Sequence, residues 1–510
     1  MDPVPLIFSC DTEDYETPAS DDAELLWARM FARHGLRACF CVVGEEARAL
    51  RDRGRRDVLE ALAGHEIASH SNMHSAHPTP AEYLEALSWE EGVRRFVEEE
   101  GRGTRDLREI LGQQPSAWCK PGNSWGAVVP YGAAMLGMPL FCDAPFEWAP
   151  GRPMRYAGGL LLRYHTSFDR YFDVPGGERF ERMRRDFEVL LDERHRDAEE
   201  GPPGGAAGGP LGGAAGAIVM YTHPCRTVTA AFPDNFSAGK ATPRGAWAPA
   251  PLRPRAEVDD LLRDFDAFLR WIVELRASGR IVLTTYRELE EAYRLPPAPW
   301  VAAGDVVALA RALAEDDAAL EVRQVPAGRG AWLAPAEQLG LLVWALARRA
   351  GSGALPGWVP LRRLLGPLEA EGADAADGAT VSVGEALAAA DGATVSVGEV
   401  LTAAGAVSEA CSLRQAVPRT ARVGAVVLGP GRLLRLVARA VATLAAAGAG
   451  EAADAARLRV PLGGDAAALA GREDFAALRF RNTWSVFPPA FEGRHLIDQA
   501  RWQAWSAAPA

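Results

Sequence analysis

The first part of the chain alternates short apolar runs with stretches whose apolar positions recur at helical spacing. Val4 to Cys10 is an apolar run that leads straight into acids, and Glu24 to His34 places Leu25, Leu26, Met30 and Phe31 at helical intervals. Arg37 to Gly44 reads as a buried strand followed by a helix through Leu62, and Glu66-Ile67-Ala68-Ser69 reads as a short strand. Ala217 to Met220 and Arg280 to Tyr286 supply later strands. Alternation of this kind predicts parallel strands covered by helices, an α/β sheet or barrel. Chemistry in such folds gathers at the carboxyl ends of strands, and Asp11, His70, Asp143 and His223 each follow an apolar run.

The pattern changes after Leu295-Pro296-Pro297-Ala298-Pro299, which reads as a linker. Beyond it, alanine and leucine dominate, with helical patterns around 304–315, 335–350, 383–390, 397–404 and 431–447. The expected organisation is therefore a catalytic α/β domain over 1–298 and a smaller, mainly helical domain over 299–510. Gly201 to Gly216 is a Gly/Pro/Ala stretch with nothing to bury, expected to be a flexible insertion before the strand at Ala217. Asp377 to Glu385 recurs as Asp391 to Glu399, each copy reading as one extended piece and one short helix. Two copies are too few for a solenoid, so a local duplication is expected. Trp484, Phe487, Pro488, Pro489 and Phe491 give the closing stretch the density of a docking segment or of a tail packed on the body.

Composition changes this picture little. A length of 510 residues exceeds what one core usually spans, and 48% apolar with 24% charged residues is ordinary for a globular chain. The net charge of −12 argues against a nucleic-acid or anionic-membrane binder. No window offers a long uninterrupted apolar span, and the N-terminus does not read as a signal peptide, so a cytoplasmic location is expected. The seven cysteines lack framework spacing and are expected to be reduced, buried apolar residues.

The candidate chemistry lies in Gly64-His65-Glu66-Ile67-Ala68-Ser69-His70-Ser71-Asn72-Met73-His74. His70 and His74 converge on one ion if the segment makes a helical turn or a tight loop. Upstream, Asp11-Thr12-Glu13-Asp14 closes the first strand. Two histidines and a carboxylate, with positions left for water, suit metal-assisted hydrolysis. Glu13 lies two residues beyond Asp11, so an extended backbone points both the same way and favours Glu13 as the third ligand, with Asp14 the alternative.

These motifs, with Cys119-Lys120-Pro121-Gly122-Asn123, Phe141-Cys142-Asp143 and Val219-Met220-Tyr221-Thr222-His223, resemble in order those of the polysaccharide deacetylases, carbohydrate esterase family 4. The resemblance covers residues 4 to about 294. It implies a distorted (β/α) barrel, a divalent metal, most often Zn2+, and removal of an N-acetyl group from an amino sugar or glycoconjugate precursor. It also implies Asp11 as base, Glu13 or Asp14 with His70 and His74 as metal ligands, and an oxyanion donor near Asn123. His223 would be the general acid, oriented by Asp143. Lys120 stands where the family carries an arginine that holds the base carboxylate; lysine keeps the charge but loses the bidentate fork. Trp148 lines the sugar groove or caps the sheet, and His165 is a candidate substrate contact. The remaining histidines read as structural or surface residues. Alternatives within and beyond the fold are a cyclic-amide hydrolase resembling allantoinases and a weakly catalytic carbohydrate-binding scaffold. An N-acetylated carbohydrate is the expected partner, and a homo-oligomer is compatible with the chain.

Overall fold

A computed structural model of the chain describes residues 2–200, 216–233, 244–294, 299–315, 323–325, 331–368, 394–447, 457–461, 478–480 and 486–510. The strands of its first part are β1 (Val4–Thr12), β2 (Cys39–Val42), β3 (Glu66–Ser69), β4 (Ala117–Cys119), β5 (Leu140–Cys142), β6 (Met154–Tyr156), β7 (Gly159–Leu162), β8 (Thr166–Ser167), β9 (Ile218–Thr222) and β10 (Ile281–Leu283). They form one curled half-barrel sheet, in which β7-β5-β4-β3-β2-β1-β9-β8 run parallel and β10 pairs with the start of β1. The helices α1 (Pro18–Arg33), α2 (Gly44–Asp52), α3 (Arg56–Ala63), α4 (Pro80–Leu84) and α5 (Trp89–Leu111) follow in order along the covering layer. The α/β expectation holds.

Strand alternation divides the core into two layers. On β1, Leu6, Phe8 and Cys10 face the helices, where they join Trp27, Phe31, Phe40 and Ile67. Ile7 faces inward with Cys39, Cys41, Ala68, Ala117, Cys119, Cys142 and Val219. The inner layer mixes these small residues with larger ones, Leu140, Leu162 and Tyr286. All seven cysteines are buried as free thiols, and Cys41 and Cys119 lie with their sulfurs 3.0 Å apart.

The second part is a helical core with a regularity that the sequence reading did not find. Trp300–Ala302, Ala303–Glu315, Arg323–Val325, Ala331–Leu333, Pro335–Ser352 and Trp358–Pro360 run strand, helix, strand, strand, helix, strand. Thr394–Ser396, Val397–Arg414, Ala421–Val423, Val426–Leu428, Pro430–Ala446 and Arg459–Pro461 repeat that order. In both copies the outer strands pair antiparallel with each other, as do the inner two. The four helices share one apolar core. The signal was present as Val359-Pro360-Leu361 against Val460-Pro461-Leu462, but alanine-rich helices blur it. Of the short duplication noted above, the first copy and the start of the second lie outside the described residues, as do the helix expected at 383–390, the linker at 295–298, the insertion except Gly216, and Trp484. Thr394 to Glu399 opens the second unit, with Ser396 and Glu399 forming a reciprocal helix cap.

The two parts share a packing layer. Leu478, Phe480, Phe487, Leu496 and Ala504 pack with Trp118, Trp125, Phe141 and Tyr156. Ala508–Pro509 adds an antiparallel strand to β6. Chain beyond 299 thus completes the sheet edge and reaches the carboxyl ends of the strands. Among the described residues, no helix is long and apolar enough to cross a membrane.

Candidate active site

The carboxyl end of β1 carries the first site residues because inward positions recur every second residue. Ile7, Ser9 and Asp11 share the concave face, and Glu13 continues it one step past the strand. Asp14 turns the other way. Its carboxylate accepts from the Ser20 hydroxyl at 2.6 Å and the Thr17 amide at 3.1 Å, so it binds the first turn of α1. That resolves the alternative left open above: among Asp11 to Asp14, Glu13 is the carboxylate beside the histidines.

The carboxyl end of β3 delivers the histidines. His70 continues the inward face of Ala68, and the chain then makes a tight turn rather than a helix, with Ser71 at φ 67° and His74 at φ 50°. Two non-glycine residues in the left-handed region cost on the order of 1–2 kcal/mol each, which the surroundings offset. The Ser71 hydroxyl accepts from the His74 amide at 2.9 Å. α5 fixes the turn from below: Glu100 accepts from the Asn72 amide at 2.8 Å. Gly44 and Gly103 approach so closely that a Cβ on Gly103 would lie 2.9 Å from Asn72 Cα.

The turn brings His74 Nε2 to 2.8 Å and His70 Nε2 to 3.3 Å from Glu13 Oε2. One donor atom from each of Glu13, His70 and His74 lies within 4.8 Å of the others, and all three residues are buried. The opposite ring nitrogens are held from behind, His70 Nδ1 by the Cys119 carbonyl at 3.2 Å and His74 Nδ1 by the Ser75 hydroxyl at 2.6 Å. This outer support leaves both Nε2 lone pairs aimed at the shared centre, as ligands to a metal require. Burial pushes the Glu13 carboxyl upward, but the charges of His74 and His223 together with hydrogen bonds from His70 and His74 hold it well below the usual carboxylate range. The donor set therefore fits a divalent ion with open positions.

Asp11 and His223 face each other across the cavity, with His223 Nε2 3.8 Å from Asp11 Oδ2 and 4.0 Å from Glu13 Oε1. The partner expected for His223 was Asp143; the structure puts Asp169 there instead. Asp169 Oδ2 lies 2.5 Å from His223 Nδ1, and its Oδ1 accepts from the His223 amide at 3.1 Å. Asp169 lies in a one-turn helix, Phe168–Tyr171, that follows β8, and β8 pairs with β9, the strand leading to His223. Sequence reasoning missed it because nothing in Phe168-Asp169-Arg170-Tyr171 marks chemistry; only strand pairing brings it to the histidine. Burial lowers the His223 pKa, but Asp169 and Glu13 outweigh burial and raise it to about 10.

Lys120 was expected to hold the base, and it does something else. Its Nζ lies 2.9 Å from Asp143 Oδ2 and 3.3 Å from Asn123 Oδ1. Asp143 takes a left-handed backbone, φ 54°, just beyond β5, which turns its side chain to the lysine rather than to His223. Asp11 is held by Tyr164, whose hydroxyl donates to Oδ1 at 3.0 Å. The Asn123 side chain donates to the Phe480 carbonyl, tying this loop to the second part of the chain. His165 borders the cavity, but its Nδ1 accepts from the Val219 amide at 2.9 Å and its Nε2 lies 3.3 Å from Glu147. Both ring nitrogens are engaged in holding the sheet edge. Trp148 is not among the cavity residues; it is partly buried and packs against the apolar layer that includes Trp125 and Phe146. His65 is structural, as read, with its ring between the Ala38 amide and the Ala28 carbonyl.

Together these groups line a cavity of about 670 Å3 that opens at the carboxyl ends of the strands. This volume is typical of small-molecule sites.

Comparison with family models finds no match, and neither does a search of curated proteins. Among solved structures, the chain is similar to PuuE allantoinase at 14% identity, over 57% of this chain and 92% of that one, with a TM-score of 0.36. A probable polysaccharide deacetylase from Pseudomonas aeruginosa aligns at 13% identity over 57% and 93%, with a TM-score of 0.36. A CE4 family pseudoenzyme from Bacillus anthracis aligns at 12% identity over 57% and 70%, with a TM-score of 0.29. Superpositions this loose carry no functional weight.

Proposed function

We propose that the chain is a metal-dependent hydrolase that removes an N-acetyl group from an amino sugar or glycoconjugate precursor. The observation that carries this reading is the buried convergence of Glu13, His70 and His74 beside the facing pair Asp11 and His223. Glu13, His70 and His74 would hold the divalent ion, with Zn2+ the first choice for two imidazoles and a carboxylate. When bound, that ion supplies Lewis acidity for the amide carbonyl.

The chain's own residues divide the proton work. Asp11, oriented by Tyr164, accepts a proton from the attacking water. His223, charged and oriented by Asp169, gives a proton to the amine nitrogen as the C–N bond breaks. An amine leaves poorly without that proton. Acetate and a free amine result. The Lys120–Asp143 ion pair lies at the cavity floor, and Lys120 also holds the loop that carries Asn123.

The test is acetate release from a panel of N-acetyl sugars by metal-loaded protein, alongside metal content. Turnover that depends on added Zn2+ and disappears in His70→Ala supports the reading. Turnover that survives both removal of metal and His70→Ala defeats it. A panel member with a cyclic amide tests the allantoinase-like alternative directly.

A further inference from the structure

The cavity has a charge pattern that amide hydrolysis does not use. Its floor holds Asp11, Glu13 and Asp143, and Lys120 answers Asp143. Its wall holds three arginines: Arg163 just after β7, Arg170 in the turn that carries Asp169, and Arg479 from the second part of the chain. Arg163 and Arg170 are exposed, and among the described residues neither side chain makes an ion pair or hydrogen bond. Arg479 donates to the Leu478 carbonyl at 2.7 Å, and its neighbour Phe480 stacks on Trp125 with ring centroids 5.6 Å apart. Asn123 bonds the Phe480 carbonyl from the opposite side. The segment that bears Arg479 is thus anchored into the catalytic loops.

Three guanidinium groups therefore border the cavity that holds the buried carboxylates. Some surface arginines meet carboxylates, as Arg255 meets Asp259 and Arg270 meets Asp266; Arg163 and Arg170 differ from other unpaired surface arginines in bordering the cavity. Guanidinium groups with donors left over suit phosphate and carboxylate oxygens, which they bind by paired N–H donors. We propose that the substrate carries an anionic group, a phosphate or a carboxylate, which Arg163 and Arg170 bind at the cavity wall while Arg479 closes that wall from the second part of the chain. This rests on the hydrolase reading above and names the substrate class for the same site. A neutral amino-sugar polymer would offer the Arg163 and Arg170 guanidinium groups no anion. A small glycosyl phosphate, or an amino sugar bearing a carboxylate, would satisfy them.

Calorimetric binding and acetate release on the full, Zn2+-loaded chain test this with three probes: N-acetylglucosamine, its 1-phosphate, and N-acetylmuramic acid. At least one anionic probe is expected to bind about tenfold or more tightly than the neutral one, and the tighter of the two identifies phosphate or carboxylate. That preference should shrink about tenfold in Arg163→Gln/Arg170→Gln and on raising salt, and return in part with Arg163→Lys/Arg170→Lys. Arg255→Gln, remote from the cavity, should keep it. Equal binding of the three probes, or a preference unmoved by the double variant, overturns the proposal while leaving the hydrolase reading intact if acetate is released. Anion preference without acetate release from any probe sinks the hydrolase reading and keeps the anion site.

Discussion

Replacing Glu100 with glutamine should change how stability depends on pH, in a direction the structure fixes. Glu100 is buried on α5, where Oε2 accepts from the Asn72 amide at 2.8 Å and from the Trp118 indole at 3.1 Å. Its Oε1 lies 3.4 Å from the Tyr83 hydroxyl. Burial raises its pKa to about 7, against those hydrogen bonds. An ordinary glutamate titrates near ~4.3, so the folded chain binds this proton more tightly than the unfolded chain by roughly 4 kcal/mol. The raised pKa belongs to an acid, so the stabilisation is complete below about pH 4.3 and drains away as pH climbs toward 7. Glutamine reproduces the protonated form: its carbonyl can accept from Asn72 and Trp118 while its amide faces Tyr83. Urea unfolding of wild type and Glu100→Gln, followed by tryptophan fluorescence from pH 4 to 8, isolates this group. The variant should gain roughly 3 kcal/mol on wild type across that range, most of it between about pH 4.5 and 7. A difference that stays flat, or that moves in favour of wild type as pH rises, would refute the reasoning.

Further outcomes follow from the same geometry. Glu13→Gln and His74→Ala should each lower Zn2+ affinity by tenfold or more in equilibrium dialysis, whereas Asp14→Asn should leave it near wild type. Asp169→Asn should cut kcat by roughly 10²–10⁴-fold with metal content unchanged, since a mis-set imidazole tautomer has costs of that order; a larger loss in Asp143→Asn than in Asp169→Asn would restore the pairing first expected. Gly103→Ala should destabilise the fold by about 1–3 kcal/mol in urea and weaken metal binding with it, because the new methyl group displaces Asn72 between the two histidines.

Much of the strand order that carries the candidate site was legible in the sequence because each signal was local. β1, β3 and β5 and their terminal acids and histidines announce themselves as apolar runs ending in polar residues, and period-two alternation favoured Glu13 over Asp14. The repeated unit in the second part was less legible, because four alanine-rich helices share one composition and only the flanking strands carry its mark.

The sequence by itself determined the alternating α/β layout, the position of the histidine turn and the candidate donor set, since these depend on neighbours within a few residues. Only the tertiary structure decided which carboxylate meets which base. Asp169 reaches His223 across the β8–β9 pairing, Lys120 meets Asp143 through a left-handed backbone, and Arg479 enters the cavity from more than 250 residues beyond His223. Hydrogen bonds and charge pairs act over a few ångströms, whereas sequence separation says nothing about such distances until strands pair and cores close.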